Sequence, residues 1–301
     1  MGKADRIRQR NARERIAAQQ AAAQRAEARR RILIASSSVF VVLAIVVGLV
    51  IGHDLNKPAK AVAAAANSNA TVASEIQSVP ASTLNSVGRG DASPLTPTKG
   101  SNPILTSNGK PLVLYMGAEY CPYCAAQRWA MVNALSRFGT FTGLTTTHSS
   151  STDADPNTPT WTFYGSTYKS NYINFTSVEE TKNYRTGNTT NTSVNYVTLQ
   201  TPTAAEEAIG QSYDPQGSIP FIDLGNKYVQ VGNLSPLSPT MLAGLSWSQV
   251  AADMNNPSSS VGQAEIGNAN YMTAGICKLT NNLPATACTP TIQKLETAFA
   301  S

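Results

Sequence analysis

Histidine occurs only twice in the 301 residues, at His53 and His148. That leaves almost no material for a histidine-rich metal site or a Ser-His-Asp triad. There is no P-loop, no dinucleotide fingerprint and no G-x-S-x-G serine motif. Asp153, Asp155, Glu179 and Glu180 lack the spacing of a calcium loop. No internal repeat is visible. Charged residues make up only 14% of the chain, but 42% is hydrophobic. This balance excludes a wholly disordered chain, a collagen-like chain and a polytopic membrane protein. Length alone allows one or two domains.

The charge that is present is unevenly placed. Residues 1–31 hold ten Lys/Arg and three acids, a net of +7 within a chain total of +5, so the remainder carries −2. The basic character belongs to the tail, and the main support for a nucleic-acid-binding globular domain falls away. The tail is rich in Ala, Arg and Gln, all good helix formers, and suits a solvated helix at an anionic membrane face.

Residues 32–52 read ILIASSSVFVVLAIVVGLVIG, 21 residues without a charge. As a helix they span roughly the 30 Å hydrocarbon core. The arginines just before Ile32 place the N-terminus in the cytoplasm by the positive-inside rule and everything after about residue 53 outside. A cleaved signal peptide is the rival reading, with small-x-small sites at Ala59-Lys60-Ala61 and Ala61-Val62-Ala63. The apolar run is longer than a usual signal core and the preceding region is very long, which favours an uncleaved anchor.

Residues 53–103 are dominated by Ala, Ser, Asn, Thr, Pro and Val, without a long apolar period, and read as a flexible stalk. The folded extracytoplasmic domain is expected over 104–301, with an insertion at about 149–215. Leu112-Val113-Leu114-Tyr115-Met116 is an uninterrupted apolar run suited to a central strand. After Cys121-Pro122-Tyr123-Cys124, the residues Cys124, Met131, Leu135 and Phe138 share one face of a helix, with Gly139 as its stop. Residues 141–148 read as a second strand. The aromatics between 149 and 200 fit core packing, or else the lining of a peptide-binding face. Thr203-x-x-Glu206 and Ser246-x-x-Gln249 are capping boxes. Ser218 to Leu224 reads as a strand opened by Pro220, and Gly225-Asn226 as a hairpin turn to a return strand at Lys227–Val231. Residues 260–277 read as helical, and Pro290 suits the first position of a last helix.

The strand–turn–CxxC–helix arrangement carries the chemistry. Cys121 falls at the helix N-cap with Pro122 at the next position. The free N–H groups and the positive end of the helix dipole favour a thiolate there. Cys124, one turn in, is placed to attack the resulting mixed disulfide. Cys121 is therefore the expected nucleophile and Cys124 the resolving thiol. A structural disulfide and half of a zinc site are the other uses of a CxxC. The remaining cysteines, Cys277 and Cys288, form no second CxxC, and an oxidising compartment favours disulfides.

The stretch Val113 to Cys124 resembles the active-site strand and helix of the thioredoxin superfamily, and its Cys-Pro-Tyr-Cys is similar to that of glutaredoxins. Ile219-Pro220, before an apolar strand about a hundred residues on, resembles the superfamily's cis-proline loop. The resemblance covers about 105–232. The long segment between helix and proline, the anchor and the Cys277/Cys288 pair more closely resemble a family of prokaryotic membrane-anchored thioredoxin-like proteins of unknown function. The resemblance implies an α/β fold, a central mixed sheet flanked by helices. It also implies that Ile219 and Pro220 bind an extended substrate through backbone hydrogen bonds. One position departs from it. Where thioredoxin carries a buried acid, six residues before the first active cysteine, stands Tyr115, so proton uptake by Cys124 needs another route.

Cys277 and Cys288 read as a structural disulfide, or as a shuttle pair relaying electrons to a membrane redox partner. Four cysteines allow three connectivities, of which local pairing is the simplest. Glu119 and Tyr123 lie beside the thiols in sequence. Glu119 reads as a proton-shuttling or merely solvated carboxylate, Tyr123 as a shield at the site's edge. His148 reads as a strand end near the site, or simply as a polar loop residue. The expected function is thiol–disulfide exchange on exported proteins, with no cofactor, no metal and no nucleic acid. The alternative is a non-catalytic, membrane-tethered binding or scaffold domain whose CxxC stays oxidised.

Overall fold

The computed structural model describes residues 69–232 and 236–299. The basic tail, the 32–52 segment and the start of the expected stalk lie outside the described residues. Among the described residues no helix is long and apolar enough to cross a membrane.

The chain begins with helices α1 (69–77) and α2 (Ala81–Val87), then strands β1 (Thr96–Pro97), β2 (Thr106–Ser107) and β3 (Lys110–Gly117). Helix α3 (Pro122–Ser136) follows, then β4 (Gly139–Thr142), β5 (Thr145–His148), β6 (Pro159–Thr162), β7 (Thr167–Ser170) and β8 (Asn174–Glu179). The second half holds β9 (Thr181–Arg185), β10 (Tyr196–Thr198), α4 (Ala204–Tyr213), β11 (Phe221–Leu224) and β12 (Tyr228–Val231). Helices α5 (Trp247–Met254), α6 (Ser260–Leu279) and α7 (Pro290–Leu295) complete it.

The apolar run at Leu112–Met116 becomes the centre of a mixed sheet. β3 pairs antiparallel with β11, Met116 opposite Phe221, and parallel with β8, Leu112 opposite Asn174 through Gly117 opposite Glu179. β12 and then β1 extend the sheet beyond β11, and β2 pairs with the start of β3. Alternation along β3 sends its side chains to two cores. Val113 and Tyr115 enter the large core, which α3 and α6 help to build. Leu114 and Met116 join Val178 and Phe221 in a smaller cluster against Ile209 and Tyr213 of α4. Helices thus cover both faces of the sheet.

Local signals explain the borders. The Thr203/Glu206 and Ser246/Gln249 capping boxes both form, each with reciprocal side-chain and backbone bonds. Gly225 and Asn226 both have φ near +61°, the conformation of a two-residue hairpin turn between β11 and β12. Pro290 opens α7. Cys277, near the end of α6, is disulfide-bonded to Cys288, just before α7.

Three expectations need correction. The stalk reading of 53–103 fails from residue 69 onward. Val72, Ala73 and Ile76 of α1, and Val79 just after it, are buried in the large core, and Asn133 Nδ2 donates to the Ile76 carbonyl at 2.8 Å. The folded unit therefore begins well before residue 104. Gly139 does not stop α3. It opens β4, where a Cβ would come 2.4 Å from the Lys169 carbonyl oxygen of the paired strand. Residues 141–148 are not one strand: Gly143, at φ 79°, separates β4 from β5, which pair with β7 and β6 respectively.

Candidate active site

The site forms where β3 ends and α3 begins. Cys121 is the N-cap of α3, with extended φ/ψ of −72° and 120°, and Pro122 takes the first helical position. The Cys124 backbone N–H donates to Cys121 Sγ at 3.2 Å, so the sulfur itself satisfies one of the free helix-end donors. Cys121 is 5% exposed and Cys124 fully buried, and both are free thiols. Tyr123 between them is 42% exposed and forms the outer edge.

The two thiols are driven apart in acidity. A hydrogen bond with the Cys124 side chain lowers the Cys121 pKa. Burial opposes this, while the Cys124 and Tyr123 backbone N–H groups and the Arg128 charge add to the lowering. Burial pushes the Cys124 thiol well above its ordinary range, and the hydrogen bond with Cys121 raises it further. An acidic outer thiol and a basic inner one suit sequential roles in exchange.

Arg128, one turn after Cys124, lies fully buried behind the turn. Its Nε donates to Glu179 Oε1 at 2.8 Å and its Nη2 to Glu179 Oε2 at 2.6 Å. Nη2 also donates to the Ala118 carbonyl at 2.8 Å. Burial alone would lower the Arg128 pKa, but Glu179 outweighs it and the guanidinium stays charged. The pair ties α3 to the end of β8 and to the turn that delivers Cys121. Glu179 also accepts from the Phe163 backbone N–H at 3.3 Å, which joins the segment just after β6 to the same knot.

The insertion wraps this turn. Glu119 N–H donates to the Thr181 carbonyl at 2.9 Å, and Glu180 N–H to the Gly117 carbonyl at 2.8 Å. The Tyr120 and Tyr196 rings stack at 4.2 Å, with the Arg185 guanidinium 4.0 Å from the Tyr196 ring centre. His148 ends β5, its ring edge-on to Trp247 at 4.4 Å, and burial lowers its pKa. Of the insertion's aromatics, Trp161 and Phe163 are core, while Tyr164 and Tyr184 are exposed.

The Ile219–Pro220 peptide is cis. Both residues precede the strand rather than opening it, since β11 starts at Phe221. The Phe221–Met116 pairing sets them beside the end of β3 that leads to the CxxC. Ile219 borders a cleft of about 440 Å³ floored by Met116 and Phe221 and edged by Glu180, Glu207 and Asp214. Cys277 and Cys288 are buried and bonded to each other, which favours their structural reading and leaves no second thiol pair to complete a zinc site with the CxxC.

Sequence reasoning missed Arg128 and Glu179 as parts of the site. One signal was available. Arg128 stands four residues after Cys124 in a helix whose neighbouring positions are otherwise uncharged, so it shares the cysteine's face. Glu179 had no such mark, because only the β3–β8 register brings it to the site.

A family model described as a domain of unknown function, DUF929, matches residues 96–278. No curated protein and no solved structure matches the chain.

Proposed function

The chain belongs to the DUF929 family, and we propose that it is a thiol–disulfide oxidoreductase with a thioredoxin-like fold, anchored in a membrane by residues 32–52 and acting on exported proteins. One observation carries this reading: Cys121 caps the N-terminus of a 15-residue helix and its sulfur accepts the Cys124 backbone N–H. This geometry stabilises a thiolate.

In the exchange, the Cys121 thiolate attacks one sulfur of a client disulfide. A Cys121–client disulfide forms and a client thiolate leaves, taking up the Cys124 proton through solvent. The Cys124 thiolate then attacks Cys121 Sγ. The Cys121–Cys124 disulfide forms and the second client thiolate departs. Two electrons pass from the dithiol to the client, and the reverse sequence oxidises a client dithiol. Ile219 and Pro220 flank the client's path, and the Cys277–Cys288 disulfide supports the helical side of the domain. A membrane redox partner would renew the dithiol.

One observation favours the alternative of a tethered scaffold with a closed CxxC, namely the burial of both sulfurs. Alkylation after mild reduction separates the two readings. The exchange reading expects Cys121 to alkylate readily below pH 7 while Cys124 does not. Thiols that cannot be reduced without unfolding the domain would establish the scaffold reading instead.

A further inference from the structure

The Tyr115 hydroxyl is fully buried and has no hydrogen-bond partner. A buried hydroxyl left unpaired is costly and calls for a reason. Its position supplies one. Tyr115 and Gly117 lie on the same face of β3, towards α3. A Cβ at Gly117 would come 2.2 Å from the Tyr115 hydroxyl oxygen and 3.1 Å from Cys124 Sγ. The hydroxyl and the inner sulfur therefore converge over the space that a glycine leaves open.

Cys124 is the group in this pocket that must become an anion. It is fully buried, and as a thiolate it needs a donor more than it does as a thiol. Of the groups around it, the Ala118 backbone N–H already donates to the Cys124 sulfur and favours its anion, the Cys124 backbone N–H serves Cys121, and Arg128 Nε and Nη2 serve Glu179 and Ala118. Arg128 Nη1 is also unpaired, and the Arg128 charge itself favours the Cys124 thiolate. Burial holds the Tyr115 hydroxyl protonated well beyond the ordinary tyrosine range, so it remains a donor.

We propose that Tyr115 is a positioning residue for the second chemical step: its hydroxyl donates a hydrogen bond to the Cys124 sulfur as that sulfur becomes a thiolate, and holds it for attack on the Cys121–client disulfide. Tyr115 keeps its own proton throughout. The inference rests on the exchange reading, and it gives the non-acidic residue at this strand position a task.

The test is the titration of Cys124 in the full chain carrying Cys121→Ser, followed by ultraviolet thiolate absorbance, with and without Tyr115→Phe. Loss of the donor is expected to raise the Cys124 midpoint by about one pH unit, a roughly tenfold weaker acid. In the intact dithiol protein, Tyr115→Phe is expected to lengthen the lifetime of a mixed disulfide with glutathione about three- to fourfold, because the scarcer thiolate is also the stronger nucleophile. If Tyr115→Phe does not fold, 3-fluorotyrosine at position 115, a more acidic donor, is expected to lower the midpoint. An unmoved Cys124 midpoint in a folded variant overturns the assignment. The titration needs no client, so a chain that exchanges no disulfide at all would sink the exchange reading while this result stands separately.

Discussion

Arg128 and Glu179 form a two-pronged ion pair with both side chains fully buried, directly behind the turn that carries Cys121. Removing one partner of such a pair strands a charge and typically costs about 3–5 kcal/mol, whereas replacing both by apolar residues of similar size is often neutral. Glu179→Leu or Arg128→Met is expected to lower unfolding free energy by about that amount in urea titrations. The double variant should recover much of the loss. Additive losses would show that the two residues act independently.

Asp223 on β11 is buried, with Oδ1 accepting the Asn226 N–H at 2.8 Å and Oδ2 unpaired. Burial pushes its pKa from 3.8 to about 7. Between those values the folded state holds a proton that the unfolded state has released. Stability from this group therefore falls as pH rises from about 4 to 7, then levels off. Asp223→Asn should remove that slope and stabilise the protein at neutral pH by a few kcal/mol, with little change near pH 4. Thermal unfolding across pH 4–8 checks this. An unchanged slope would mean that Asp223 ionises normally in the folded chain.

The Cys277–Cys288 disulfide closes a loop with a sequence separation of 11. Its removal by Cys277→Ser is expected to lower stability by about 3 kcal/mol in the chain-entropy account. Exchange in a still-folded sample should persist. Loss of turnover with a membrane partner at unchanged stability would instead make this pair a relay.

The proposed membrane topology rests on residues 1–52 of the sequence. Protease added to intact spheroplasts is expected to degrade the C-terminal domain without membrane lysis. Full protection until lysis would contradict an outward-facing domain.

Much of this architecture could be read from short-range signals. The Leu112–Met116 run, both capping boxes, the Gly225-Asn226 turn and the N-cap placement of Cys121 each depend on neighbours a few residues apart. The errors came where the signal was diluted or distant. Val72, Ala73 and Ile76 mark a helical face, but Ala, Ser and Asn around them hide it in a composition typical of linkers. Gly139 looked like a helix stop because a glycine required by strand packing is indistinguishable in sequence from one required by a positive φ. The CxxC was legible because its two thiols are adjacent on one helix turn. The Arg128–Glu179 pair was not, since its members stand 51 positions apart and only the sheet register joins them.

The central claim is that Cys121 attacks and Cys124 resolves. Its most direct test is trapping in the full-length protein with Cys124→Ser, expressed in cells and analysed on non-reducing gels against Cys121→Ser. The account expects Cys124→Ser to accumulate reducible adducts with exported proteins, linked through Cys121, and Cys121→Ser to show none and no exchange activity. Equal loss of activity in both variants without any trapped adduct would contradict it.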